Sequence, residues 1–147
     1  MKKLYFLFCL LFTLTISAQK VNVKFTIDAS AGLYPNADYQ NILLNGTFAP
    51  GEEWWGWGVA LADDGTGDDL VSGDGIWTGS RDIAENFDYE FVVATSGPAD
   101  NWGGWGQSSG YDATTCADIG GNYLFSTVTS DLEISLSVLP DADASGD

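Results

Sequence analysis

Five of the six tryptophans of this chain stand in two glycine-rich clusters, Trp54-Trp55-Gly56-Trp57-Gly58 and Asn101-Trp102-Gly103-Gly104-Trp105-Gly106. An indole joins a large flat apolar face to a single N–H donor, so leaving it in water is costly unless something covers it. The neighbouring glycines bury nothing and favour turns. Flat aromatic faces on a loop suit stacking against a sugar ring, whose C–H faces are apolar and whose rim is hydroxylated. Trp54, Trp55, Trp57, Trp102 and Trp105 are therefore the candidate carbohydrate-binding residues, with the second pair the better surface candidates. Tyr111, further along the loop of the second cluster, either extends this platform or pins its loop.

Two sets of carboxylates suggest other chemistry. Asp63, Asp64, Asp68, Asp69 and Asp74 crowd together with Gly65, Gly67, Gly73 and Gly75. Calcium takes about six to eight oxygen ligands from a flexible loop, which this segment can supply. Its spacing departs from the EF-hand order of acids at alternate positions closed by a glutamate. A solvated turn is the preferred reading and a structural Ca²⁺ the second; no other cofactor is expected. Glu52-Glu53, Asp82 and Glu85 could flank a glycosidic bond, since two carboxylates suffice for hydrolysis. No spacing selects a pair, and adjacent strand residues point to opposite faces. The chain has no histidine, which removes Ser-His-Asp and Cys-His catalysis and His-ligated zinc. An enzyme is not expected.

The first 18 residues read as a secretory signal: Lys2 and Lys3, an apolar run from Leu4 to Ile16, then Ser17-Ala18 before Gln19. The run is short for a membrane span. Cys9 lies inside it without small residues just before, which argues against a lipid anchor. The expected location is secreted or cell-surface. The whole chain carries a net charge of −16, and beyond the signal only Lys20, Lys24 and Arg81 remain against 21 acids. Nucleic acid is excluded as a partner, because phosphate contacts need Lys and Arg. Anionic polysaccharides are disfavoured for the same reason, leaving a neutral, glucan-like polysaccharide as the expected partner. Cys116 has no second cysteine to bridge after processing.

These residues need elements to hold them. Val21, Val23, Phe25 and Ile27 alternate with polar residues, which predicts a strand with one buried face. Ile42–Phe48 predicts a second strand, with Gly46 marking a bulge or a close backbone approach. Trp55, Trp57 and Val59 are expected to share a strand face. Strands are further expected over 76–83, 87–95, 123–128 and 132–138, with Trp77, Phe25, Phe48, Phe87, Tyr89 and Phe91 in the core. Segment 96–122 is too long for a hairpin turn and reads as a long loop, functional or disordered. No stretch has a helical period. About seven strands joined by Gly/Asp turns predict an all-β, antiparallel, immunoglobulin-like β-sandwich over 19–139, followed by an acidic disordered tail or linker over 140–147.

Several segments also resemble a known family. Ile42-Leu43-Leu44-Asn45-Gly46-Thr47-Phe48 is similar to the "apolar-x-Gly-x-Phe" strand of starch- and glycogen-binding β-sandwich modules. Asp74-Gly75-Ile76-Trp77 resembles their "Asp-Gly-apolar-Trp" turn, and Phe87-Asp88-Tyr89-Glu90-Phe91 their "Tyr-x-Tyr-Lys-Phe" strand. Val23–Asp28 and Asn101–Gln107 look like the version of this module in secreted proteins of Bacteroidetes. The resemblance spans the expected domain and implies a non-catalytic polysaccharide-binding module, fused to or associated with a glycoside-processing enzyme. Two positions depart from the pattern. Glu90 stands where the family has lysine, and no cysteine follows Cys116 to match the family's second one. The competing expectation is a structural or adhesive surface module whose tryptophans contact protein, and a third is a calcium-stabilised spacer.

Overall fold

A computed structural model describes residues 19–48 and 54–139. The expected leader 1–18 with Cys9, the tail 140–147 and Glu52-Glu53 lie outside the described residues. Among the described residues nine strands form: β1 (Lys20–Asp28), β2 (Asn41–Gly46), β3 (Val59–Ala60), β4 (Ile76–Ala84), β5 (Asp88–Ser96), β6 (Tyr111–Ala113), β7 (Ala117–Asp118), β8 (Tyr123–Ser126) and β9 (Leu132–Val138). The only helical turn among the described residues is a 3₁₀ turn at Pro98–Asp100. The strands make two sheets, ordered β4-β1-β9-β6 and β3-β2-β5-β8-β7, and the fold is an all-β sandwich.

The core follows from the alternation. Val21, Val23, Phe25 and Ile27 of β1 are buried while the residues between them are partly exposed. Phe25 reaches from one sheet into the aromatics of the other, with ring centroids 5.6 Å from Phe91 and 5.7 Å from both Phe48 and Phe125. Edge-on aromatic contacts of this kind favour the quadrupole arrangement. Trp77 is buried in the same core, as expected.

Four expectations need correction. β1 and β9 pair in parallel, Phe25 opposite Ile134, so the sheets are not wholly antiparallel. The chain enters β9 by crossing over from β8 in the other sheet, and such a crossover is what parallel neighbours require. Residues 54–58 are a turn rather than a strand, because Trp57 has φ 64°, outside the extended region. Phe87 is 44% exposed: it falls in the turn where Asn86, at φ 60°, reverses the chain before β5. Segment 96–122 holds two short strands, β6 and β7, each too brief to show a period.

β2 is buried at every position from Ile42 to Gly46. Ile42 and Leu44 join the core between the sheets. Strand geometry sends Leu43 and Asn45 to the opposite face, where both are nevertheless fully buried. The outer face of this sheet is therefore covered along β2, and at Asn45 the cover is the tryptophan region. Gly46 makes the close approach expected of it, since a Cβ there would run into the Glu90 carbonyl oxygen of β5.

Candidate carbohydrate-binding site

The second tryptophan cluster is built around one carboxylate. Asp100 Oδ1 accepts from the backbone N–H of Gly97 (2.8 Å) and Trp102 (3.2 Å), and Oδ2 from Gly104 (2.8 Å) and Trp105 (3.2 Å). The Ser96 hydroxyl lies 3.3 Å from both oxygens and also accepts from Gly104 N–H. Asp100 thus supplies the acceptors that a tight, irregular backbone needs. Desolvation pushes its carboxyl up, but the N–H donors of Gly97, Trp105 and Gly104, with the Ser96 hydroxyl, outweigh that and hold it below the ordinary carboxylate value. The far end of the loop is fastened to β5: Gly106 N–H donates to the Thr95 carbonyl (2.9 Å), and the Thr95 hydroxyl donates to the Gln107 carbonyl.

The two clusters meet. Asn45, buried on the outer face of β2, donates from Nδ2 to the Gly104 carbonyl, and its Oδ1 lies 3.5 Å from the N–H of Gly58. Trp57 Nε1–H donates to the Trp102 carbonyl at 3.1 Å. Two glycines let the surfaces close. Gly104, at φ +78°, would place a Cβ 2.7 Å from Trp57 Cδ1, and a Cβ on Gly56 would stand 2.5 Å from the Gly103 carbonyl oxygen and 3.2 Å from Trp105 Nε1. One buried asparagine and an indole N–H therefore join loops some 45 residues apart in sequence.

The indoles remain open to solvent. Trp55 is 65% exposed, Trp105 52%, Trp102 47% and Trp57 37%, while Trp54 is partly buried. Trp57 and Trp102 also sit at φ 64° and 61°, two of the four non-glycine residues with left-handed backbone among those described. A bulky residue held there costs on the order of 1–3 kcal/mol and persists where the surroundings over-determine it. Tyr111 starts β6 and is buried in the core, only 3% exposed, so it pins the loop rather than extending the tryptophan platform. Its partner in this is Tyr123, whose hydroxyl donates to the Tyr111 carbonyl at 3.0 Å.

Beside Trp105 runs a groove of about 330 Å³ whose lining includes Val92, Ala94, Ser108, Tyr111 and Tyr123. None of its lining residues carries a formal charge at neutral pH. Apolar, aromatic and hydroxyl groups without charge suit an uncharged, hydroxylated ligand.

The acidic loop is arranged differently from the full set of five acids. Carboxylate oxygens of Asp63, Asp69 and Asp74 lie within 4.8 Å of one another, and Asp64 and Asp68 stand outside this group. Asp63 already accepts from the N–H groups of Gly73 (2.7 Å), Asp74 (3.1 Å) and Gly75 (3.1 Å). Buried Asp69 accepts from Gly65 (2.5 Å) and Val71 (3.3 Å), and the Gly65 bond leads the set that holds its carboxyl below the ordinary value against desolvation. Asp64 and Asp74 close local turns on Thr66 and Ile76. Backbone amides are the partners of Asp63, Asp64, Asp69 and Asp74.

Of the remaining carboxylates, Asp82 accepts from Asn22 Nδ2 (2.9 Å) on the exposed side of β4, and Glu85 follows that strand. The Cys116 thiol is half-buried and pushed up to about 11, by desolvation and then by the charge of Asp118, so it is a poor nucleophile. Asn45 and Asp100 are the site residues that reading the chain by residue type overlooks. Their signals are a lone amide inside an apolar strand and an acid just before the cluster. Neither the family models nor the curated proteins compared with this chain give a match.

Proposed function

We propose that this chain is a secreted or cell-surface, non-catalytic module that grips a neutral, glucan-like polysaccharide by stacking sugar rings on Trp55, Trp57, Trp102 and Trp105. The observation that carries the reading is that two of these indoles are held exposed on left-handed backbone by a network of buried and half-buried polar groups. A fold gains nothing for its core by fixing an indole in water, and exposed aromatic groups of this size mark interaction sites. The uncharged groove beside Trp105 and the scarcity of cations favour a neutral glycan over an anionic one. The sandwich also agrees with the resemblance to starch- and glycogen-binding modules of secreted Bacteroidetes proteins, whose association with a glycoside-processing enzyme is part of the proposal.

Adding soluble α- or β-glucan is expected to quench or shift tryptophan emission. Trp102→Ala and Trp105→Ala should each weaken binding by about 1–3 kcal/mol, taking the scale known for aromatic stacking on nucleic-acid bases. Both variants binding every tested glucan as tightly as the parent would remove this reading.

A further inference from the structure

We propose that the loop between β1 and β2 extends the platform through Tyr39 and Tyr34, so that the ligand is a run of consecutive sugar residues spanning three loops rather than a single ring. The proposal rests on the carbohydrate reading above and adds a residue set and a ligand length to it.

The β1–β2 loop is locked to the tryptophan loop. Ala99 N–H donates to the Asp38 carbonyl at 3.1 Å, and Gln40 N–H to the Ser96 carbonyl at 2.9 Å. Gly97 packs so closely on Asp38 and Tyr39 that a Cβ there would meet the Asp38 carbonyl oxygen. Asn36 stiffens the turn: its Oδ1 accepts from the N–H of Asp38 (2.9 Å) and Tyr39 (3.0 Å), and its own N–H donates to the Tyr39 carbonyl (2.8 Å).

Along three consecutive residues the chain then meets one aromatic ring after another. Gly104 carries the Trp57 indole against it, Trp105 adds its own, and Gly106 abuts the Tyr39 ring, whose Cδ1 and Cε1 occupy the space a Cβ would need. Beyond Tyr39, the Tyr34 ring stands edge-on with centroids 5.7 Å apart and planes at 80°. Both tyrosines are partly exposed, and each joins an apolar face to a hydroxyl. A polysaccharide repeats its apolar faces and hydroxyl rims along the chain, so a rigid row of rings engages successive units at little ordering cost to the protein.

The test is a fluorescence titration of the intact protein with linear gluco-oligosaccharides of both anomeric linkages, from the disaccharide upward. Tyr34→Ala, Tyr34→Leu, Tyr34→Phe and Trp105→Ala are compared with the parent, and melting midpoints check folding. Tyr34→Leu keeps apolar bulk without a flat ring, so it remains informative should the alanine variant fold poorly. Parent affinity is expected to rise with oligomer length. Tyr34→Ala and Tyr34→Leu should lose about fivefold or more for the long oligomers and nothing for the shortest that bind, while Tyr34→Phe keeps the parent profile. Tyr34→Leu matching the parent at every length, with Trp105→Ala weakened throughout, would end the platform at Trp105 and overturn the extension alone. A silent Trp105→Ala, or a parent that binds no gluco-oligosaccharide, would overturn the carbohydrate reading and the extension together.

Discussion

Asp100 and Asn45 show how little side-chain chemistry is needed to fasten the two tryptophan loops together. Each Asp100 oxygen accepts from two backbone N–H groups. Asp100→Asn must therefore turn an amide NH₂ toward one of the two donor pairs, and the loop loses half its support. Leaving such donors unpaired costs on the order of 1–3 kcal/mol, so glucan affinity should fall about tenfold while the distant core stays folded. The sign of the pH effect follows from the depressed carboxyl. Its stabilisation is fully present above the ordinary value of 3.8 and is lost as the pH falls through the lower, folded value. Binding by the parent should thus persist below the ordinary value and be lost only as the pH falls through the lower, folded one, whereas Asp100→Ala should be weak and lack that step. Parent and variant sharing one acid profile would show that Asp100 does not order the loop. Asn45→Leu tests the second fastening: it leaves the Gly104 carbonyl without its donor and should loosen both clusters at once, faster hydrogen exchange of the Trp57 indole N–H being the readout.

Strands were legible wherever alternation ran long enough to declare itself, as in β1 and β9, and illegible where an element is only two or three residues, as in β6 and β7. The candidate site was legible by residue type, since tryptophans among glycines stand out. Its geometry was not, because nothing local in Trp-Trp-Gly-Trp tells that Trp57 would turn left-handed and abandon the strand. That conformation is set by Asn45 and Gly104, contacts made at a distance along the chain. Tyr111 leaves the tryptophan platform for a related reason: pairing with Val138 of β9 draws it into the sandwich. The acidic loop is expected to behave as an ordinary turn. Calcium bound with affinity would stabilise by about 2.7 kcal/mol at a hundredfold excess over Kd, a shift of several degrees in a domain of this size. Calcium and magnesium at equal ionic strength should instead move the melting midpoint alike, because Asp63 and Asp69 already spend their oxygens on backbone amides. A calcium-specific rise, abolished by Asp63→Asn with Asp69→Asn, would reverse this.

At the scale of the whole molecule, the tryptophan face lies over one sheet of the sandwich and the acidic loop leads into an edge strand of the other. No helix among the described residues is long and apolar enough to cross a membrane. The same face could serve a protein partner, and a stable contact of that kind buries on the order of 1,000 Å² or more. With so few cations, two copies brought together repel each other, an effect that salt screens. Sedimentation with Cys116 blocked is expected to give a monomer at micromolar concentration that retains glucan affinity. A dimer lost on Trp55→Ala and Trp57→Ala would favour the adhesive reading.

The most direct test of the central claim is a glycan array probed at low and high salt, with the parent beside the paired Trp102→Ala, Trp105→Ala variant. Binding to neutral glucans is expected, equal at both salt concentrations because stacking does not depend on ionic screening, and absent in the variant. Binding confined to charged glycans and fading with salt, or a variant that lights the same neutral glucans as the parent, would contradict it.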